Sequence, residues 1–507
     1  MDRFASSRQL SRTGMKMNRK GIWDPTDRLK TLRRAVGMLL VLLLTGCAAV
    51  GPDYVPPEVE APQEWKASLQ EGVRPETDPD TLAAWWSVLN DPMLTDLIRE
   101  ALHGNLDLKQ ARARIREARA RRSINRASLF PVLDGAGAYN RFQQSENSGD
   151  VRTRDVYDVY AVGFDAGWEV DIFGGVRRAV EAADANVEAR EADLRDVWVS
   201  LAAEVAFNYV EARTYQARLR VAETNLTAQQ KTYDLAKSRF KAGLSNELAV
   251  NQARYNLEDT RSQIPTLRTN LEQTRNRLAV LIGKEPGSVH GLLEEPRPIP
   301  VNPPTVAVGV PAEALRRRPD VRSAERRLAA QTARIGAATA DLYPKFRLSG
   351  SIGLESLTPG NLFEAASKIW SFGPSFSWRL FDAGAIRGNI EVQTALQEQA
   401  LLAYESTVLT ALEEVENAMT AYMQEQLRRV SLLEAAQAAR QAVHLSEQQF
   451  KAGLIDFTSV LDAQRSQLSF QEQLAQSEGR VSANLITLYK ALGGGWSPLQ
   501  TDKPVAE

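Results

Sequence analysis

The pentapeptide Phe240-Lys241-Ala242-Gly243-Leu244 recurs unchanged 210 residues later as Phe450-Lys451-Ala452-Gly453-Leu454. The same offset sets Trp168 on Trp378, Arg177 on Arg387 and Gly283 on Gly493. Upstream the offset becomes 213, placing Ala101-Leu102 on Ala314-Leu315, Asp107 on Asp320 and Pro131 on Pro344. The three-residue change falls between Pro131 and Trp168, where a loop absorbs it. A period this long is not that of a solenoid, so the chain is expected to hold two copies of one structural unit.

Each copy reads helix, strand, strand, very long helix, returning helix. The helical pattern from Met93 to Ser128 stops near Pro131, and the one from Pro311 to Leu342 stops near Pro344. Neither Gly nor Pro occurs in the 67 residues from Val176 to Ala242, or in the 64 from Asn389 to Ala452. At 1.5 Å per residue such helices are roughly 100 Å long, which makes them rods. Toward their ends, apolar or small residues recur every three or four positions: Leu219, Ala222, Leu226, Gln229, Tyr233, Ala236 and Phe240, then Leu432, Ala436, Ala439, Val443, Ser446 and Phe450. The returning helix answers with Phe457, Leu461, Gln464, Leu468, Gln471 and Ala475. That spacing predicts a coiled-coil seam. Gly243 and Gly453 fall where each rod must reverse, a place for a residue that adopts left-handed backbone without strain.

Four segments alternate with period two. From Tyr160, the even positions Val162, Phe164, Trp168 and Val170 are apolar, whereas Gly163, Asp165, Glu169 and Asp171 are small or acidic. Phe346, Leu348, Ile352 and Leu354 oppose Arg347, Ser349, Ser351 and Glu355; Trp370, Phe372, Phe376, Trp378 and Leu380 oppose Ser371, Gly373, Ser375, Ser377 and Arg379. The strand from Val132 to Phe142 is richer in Gly and Ala. Strands of about ten residues with outward aromatics suit a transmembrane barrel, and a half-buried soluble sheet gives the same alternation.

The leader decides between them. Arg33 and Arg34 precede an apolar run from Ala35 to Leu44, too short to span a bilayer as a helix and followed by Thr45, Gly46 and Cys47. This segment reads as a signal peptide, and it resembles the bacterial lipoprotein signal. The resemblance implies that Cys47 becomes the lipidated first residue of the mature chain, with Ala48 favouring the outer membrane. Pro52, Pro56, Pro57 and Pro62 then keep a connector extended. The chain is 43% apolar and 25% charged, which rules out a bundle of membrane-spanning helices, so strands must make any crossing. Four strands cannot close a barrel, because open edges are forbidden in lipid and the smallest barrels have about eight strands; several copies must pool their strands.

Enzymatic and nucleic-acid functions find no support. Residues 1–46 carry ten basic against three acidic residues, leaving the remainder at −8 where the whole chain carries −1, a poor balance for binding nucleic acid. Cys47 is the single cysteine, so no intrachain disulfide or cysteine metal cluster can form. His103, His290 and His444 are scattered, and no phosphate-binding loop, nucleophile elbow or metal motif occurs. No catalytic, cofactor or metal residue is assigned. A periplasmic coiled-coil scaffold would share the rods but conduct nothing; a hydrolase would have to work through scattered Asp/Glu pairs.

Taken together, Leu44-Thr45-Gly46-Cys47 with Gly51-Pro52-Asp53-Tyr54, Trp85-Trp86 with Leu89-Asn90-Asp91-Pro92, Arg318-Pro319-Asp320-Val321 with Ala324-Glu325 and Ala333-Arg334-Ile335-Gly336, and the second pentapeptide with Val460-Leu461-Asp462-Ala463 resemble the TolC-like outer membrane factors. The match is to their lipoprotein branch (OprM/NodT-like) and covers nearly the whole mature chain. It implies an α+β membrane protein: a homotrimer whose twelve-stranded transmembrane β-barrel, four strands per chain, continues into a twelve-helix periplasmic tunnel. As partners it implies a periplasmic membrane-fusion adaptor and an inner-membrane RND-type transporter, with Gly243, Leu244, Gly453 and Leu454 at the tip where the adaptor docks. Asp462 matches the residue lining the constriction at that tip. Ser459 stands where the family often has a second acidic residue, and Gln252 is the first copy's equivalent of Asp462, so an acidic ring draws on one repeat only. The basic triplet Arg316-Arg317-Arg318 and the stretch Arg112 to Arg126 read as solvated faces and intersubunit partners.

The expected layout is a signal peptide (1–46), a lipid-anchored connector (47–90), a first repeat (91–283), an equatorial linker (284–310), a second repeat (311–493) and a tail (494–507). Cys47→Ala is expected to abolish incorporation of labelled palmitate; a variant that still takes up label would remove Cys47 as the acceptor.

Overall fold

The computed structural model describes residues 49–58, 62–66, 73–74, 79–143, 156–300 and 306–496; the leader, Cys47 and the last eleven residues lie outside the described residues. Helices α1 (Pro92–Gly104) and α2 (Leu106–Ala127) lead into strands β1 (Val132–Gln143) and β2 (Val156–Val170), then rod α3 (Gly175–Lys241) and returning helix α4 (Glu247–Leu281). The second copy repeats the order with α5 (Pro311–Arg317), α6 (Pro319–Ala340), β3 (Lys345–Ser356), β4 (Lys368–Ser377), α7 (Ala385–Lys451) and α8 (Phe457–Ala491). Both rods have 67 residues and both returning helices 35, with ends 210 residues apart throughout. The duplication in sequence is therefore a duplication in structure. No helix among the described residues is long and apolar enough to cross a membrane.

Two helices stand where the pattern predicted one in each copy. Asn105 leaves helical geometry at ψ 134°, and its side-chain oxygen caps α2 by accepting from the Leu108 N–H at 3.0 Å. In the second copy Arg318, at ψ 120°, precedes Pro319, whose ring pushes the residue before it out of the helical region. Each break residue then reaches the end of a returning helix. Asn105 Nδ2 donates to the Leu281 carbonyl and Arg318 Nη1 to the Ala491 carbonyl, both at 3.0 Å. The same joint satisfies C-terminal carbonyls that lack an intrahelical partner, with an amide in one repeat and a guanidinium in the other. Carboxylates of Asp320 at 2.7 Å and Glu414 at 2.6 Å pair the buried Arg318. The fourth strand is also shorter than expected: β4 ends at Ser377, and Trp378 turns its indole N–H to the Leu342 carbonyl at 3.0 Å. Trp168 does the same to Leu129 in the first copy, at the same distance.

Above mid-height the helices lie side by side in the order α2, α3, α6, α7; below it the order is α4, α3, α8, α7. Rod α3 thus touches both copies. Its contact with α8 mixes small residues with amides: Asn225 donates to Gln471 and Gln464 to Thr232, each at 2.9 Å. The main core gathers at mid-height, where fully buried Trp85 stacks on Tyr489 with ring centroids 5.6 Å apart. There Tyr209 donates to Asp91 at 2.5 Å, and fully buried Arg213 donates to the Glu295 carbonyl at 2.8 Å, pinning the linker to the rod. Burial, and then the hydrogen bond to Asp91, push Tyr209 up to about 12.

The described connector residues run over the surface without folding into helix or strand until Val73–Arg74 pairs in parallel with Val306–Ala307. Residues 49–58 form a strap. Arg178, 5% exposed, donates to the Val50 carbonyl at 3.1 Å and to Asp53 at 2.6 Å. Gly51, at φ +90°, closes on Gly336 so tightly that a Cβ would overlap backbone. Tyr54 donates to Glu325 at 2.5 Å beneath the Arg326 guanidinium. The sequence marks at 51–54, 324–325 and 333–336 are thus one contact, stapling the two repeats.

Gly479 of α8 leaves no room for a side chain against Thr214 of α3, a β-branched residue held by its hydrogen bond to the Val210 carbonyl. Gly479→Val is expected to destabilise the helix pair by about 1–3 kcal/mol, the usual range for overpacking, seen as a lowered Tm in thermal unfolding followed by circular dichroism. An unchanged Tm would mean that this contact is looser than described.

Candidate functional site

The two helical turns at the bottom of the molecule share one geometry. Gly243 and Gly453 take φ +69° and +74° with open space around them, so glycine is required there by backbone conformation rather than by crowding. Leu244 N–H donates to the Arg239 carbonyl at 2.8 Å, and Leu454 N–H to the Gln449 carbonyl at 2.9 Å, closing each rod with the same capping pattern. Both leucines are left outside: Leu244 is 68% and Leu454 74% exposed. The turns are cross-linked, since the Arg239 guanidinium lies 5.0 Å over the Phe450 ring, itself 5.2 Å from Phe457. Beside them a groove of about 750 Å³ runs between α3 and α7 over the start of α8, with Phe450, Phe457, Val460 and Leu235 at its base and Lys231 and Lys451 on its rim.

Asp462 lies on the exposed face of the first turns of α8, while its neighbour Leu461 is buried against Ala236 and Ala253. Its carboxylate pairs with Arg465 at 2.9 Å, and both side chains are largely exposed, at 67% and 63%. Arg465 is a charged neighbour that the sequence reading passed over, although its i,i+3 spacing on a helix would have pointed to it. The first copy has half-buried Gln252 and exposed Tyr255 at the two equivalent positions, so the pair exists in one repeat only.

At the other end, β1, β2, β3 and β4 form one antiparallel sheet in sequence order. Register places Phe164 opposite Ile352 and Ile352 opposite Trp370, with Val170, Phe346 and Phe376 in line below. These residues share one face, and Trp370 and Phe376 are 73% and 70% exposed. The opposite face carries Asp134, Asp165, Ser351 and Ser371 in a single row. A soluble sheet hides its apolar face; this one displays it, which is the arrangement of a sheet solvated by hydrocarbon on one side and water on the other. Strands β1 and β4 have no neighbour on their outer edges among the described residues.

Enzyme-like chemistry does not assemble. His103 meets a backbone carbonyl, His290 pairs with Glu272 at 2.5 Å, and His444 meets Gln448. Among the described residues no three His, Cys, Asp or Glu side chains converge as a metal set. Cys47 lies outside the described residues.

Comparison with known proteins gives this geometry its context. The family model described as outer membrane efflux protein matches residues 97–284 and 310–494. Nodulation protein T of Rhizobium leguminosarum bv. trifolii is 34% identical over 464 residues, covering 90% of this chain and 96% of the relative. The solvent efflux pump outer membrane protein SrpC of Pseudomonas putida is 31% identical, covering 92% and 99%. Among solved structures, that of the outer-membrane channel OprN superposes with a TM-score of 0.84 at 37% identity, over 89% of this chain and all of the other. A family match spanning both repeats, on a fold with a greasy sheet at one end and helical rods at the other, makes this chain a member of the outer membrane efflux protein family: a passive channel of the outer membrane reaching into the periplasm, the exit component of a tripartite efflux system, and not an enzyme.

Proposed function

We propose that three copies of this chain close a twelve-stranded barrel above a twelve-helix tunnel and so form the exit duct for a periplasmic adaptor and an RND-type transporter in the inner membrane. The observation that carries the reading is the four-stranded sheet with one exposed aromatic face and two edges that lack a neighbour among the described residues. Two copies would supply eight strands, and a barrel of that size has an interior filled by its own side chains; three copies leave a bore. Alternating strand direction supports the join, because β4 of one copy meets β1 of the next antiparallel under rotation about one axis.

The helical edges below are complementary in the same sense. Rod α7 leaves Val392, Leu396, Leu402 and Leu409 exposed along its upper half. Its acidic residues Glu391, Glu398 and Glu405 lie on the edge that meets a neighbour's α2, where Lys109 and Arg116 are exposed on the side turned from the buried Ala111 and Ile115. Cys47, two residues before the strap begins at the junction of β2 and α3, would carry lipid at the level where sheet gives way to helix.

At the tip, the exposed Leu244 and Leu454 beside Gly243 and Gly453 offer the adaptor an apolar rim that none of the described residues covers. Asp462 from three copies rings the aperture, each carboxylate tethered to its own Arg465, so the ring is a set of ion pairs rather than bare negative charge.

Sedimentation of the detergent-solubilised protein is expected to give three chains per particle, and planar bilayers are expected to show discrete conductance steps. Monodisperse single chains with native helix content would end the trimer, and a complete lack of conductance would favour a scaffold. Asp462→Ala, which breaks the pair at the aperture, is expected to raise single-channel conductance; an unchanged value would remove Asp462 from the gate.

A further inference from the structure

Strap and mid-height core cover one side of rod α3, through Arg178, Tyr209 and Arg213. On the opposite side of the rod, between α2 and α6, lies a groove of about 580 Å³. Five alanines, among them Ala179 and Ala183 of α3, line it, and Arg114, Arg121, Arg190 and Arg334 surround them with Glu117 as the sole acidic residue. In the assembly proposed above the strap, which follows Cys47 in sequence, lies on the outer surface, so this groove faces the bore just below the sheet.

We propose that the groove is a way station for amphiphilic organic anions, substrates that join an aromatic or alicyclic body to a carboxylate or sulfonate. The proposal rests on the conduit reading and names the substrate class that this part of the duct receives. Two of the four guanidiniums are committed to carboxylates, Arg121 to Glu117 at 2.8 Å and Arg190 to Asp193 at 3.0 Å. Among the described residues the other two donate to neutral amides: Arg114 to Gln110 at 3.1 Å and Arg334 to Gln331 at 2.8 Å. A neutral amide leaves the cation's charge unbalanced, and a planar guanidinium meets a carboxylate or sulfonate through two parallel hydrogen bonds. Alanines keep the floor low and apolar, giving a flat ring a surface on which to lie while the arginines hold its charged end. The volume falls within the range of small-molecule sites, about 300–1,000 Å³. Because the groove is open along its length, a bound molecule is held weakly, as a relay in a conducting path requires. Anions approaching from outside must first pass the Asp134 and Asp165 row of the sheet, so the groove fills from the periplasmic end.

The test is calorimetric titration of the detergent-solubilised full-length trimer with naphthalene-1-sulfonate, 1-naphthalenemethanol and 1-naphthylmethylammonium, which share a ring and differ in charge. The sulfonate is expected to bind at least about tenfold more tightly than the other two, the factor that one charge-assisted contact supplies. R114Q/R334Q is expected to erase that preference, R114K/R334K to keep most of it, and R261Q/R268Q, which changes two exposed arginines of α4 outside the groove, to leave it intact. Equal binding of all three probes would overturn the proposal whether or not any variant folds. So would a preference that survives R114Q/R334Q in a correctly sized trimer, or one that falls equally in R261Q/R268Q. Conductance of the same wild-type preparation tests the duct separately, so loss of the anion site and loss of the channel reading are distinguishable.

Discussion

An unpaired strand edge is tolerable in water and prohibitive in hydrocarbon, and that asymmetry governs the whole molecule. Strands β1 and β4, twelve and ten residues long, each turn roughly half their N–H and C=O groups outward. In lipid each orphan costs several kcal/mol, so one chain would forfeit tens of kcal/mol on entering the membrane alone. The aromatic face demands the opposite environment, since exposing Trp370, Phe372 and Phe376 to water is unfavourable. Closure with further copies, the assembly proposed above, satisfies both demands. Assembly is therefore the condition under which the sheet can exist in its solvent.

The helical part meets a different requirement: a long wall built from a short stretch of sequence. Duplication supplies it economically, because one plan of strand pair, rod and return is used twice. The joints between the copies show where the plan was kept and where its chemistry diverged. Asn105 and Arg318 close the same joint with different side chains, and Trp168 and Trp378 bridge the same gap with identical ones. At the tip the copies share backbone geometry down to the hydrogen bonds of the turn, yet only the second carries the Asp462–Arg465 pair. In the proposed trimer a gate built from one repeat would have three charged points around its axis rather than six, since the first repeat carries uncharged Gln252 and Tyr255 at the matching positions.

Features governed by local chemistry were legible in the sequence, and those governed by meetings across the chain were not. Rod lengths follow from the absence of Gly and Pro, the reversals from Gly243 and Gly453, and the strand faces from strict alternation. Both helix breaks had local signals as well: Gly104 before Asn105 is a stop followed by a cap, and Arg318 stands before a proline. Apolar spacing nonetheless runs across the first break, because Leu102 and Leu106 stand four apart on either side of it. The strap was beyond reach. Its proline content predicted an extended segment, but that Gly51 would sit on Gly336, and Arg178 hold Asp53, depends on packing between repeats that no window of sequence contains. Arg465 falls between these cases, visible in spacing but meaningful only once Asp462 is seen to be exposed.

A passive duct performs no work on its cargo, so its contribution must be a path whose local attractions never become traps. Charge along the chain changes with height: ion pairs at the proposed aperture, an arginine-rimmed groove beneath the sheet, and an acidic row within it. A solute attracted by one station is indifferent to or repelled by the next, which keeps any single well shallow. Exposed charges about 10 Å apart are largely screened at physiological salt, so each station acts on what touches it rather than on the whole bore. Selection by such a path is modest and additive. That suits a component fed by a pump: the energy and the choice of substrate are supplied below, and the wall has only to keep molecules moving once they arrive.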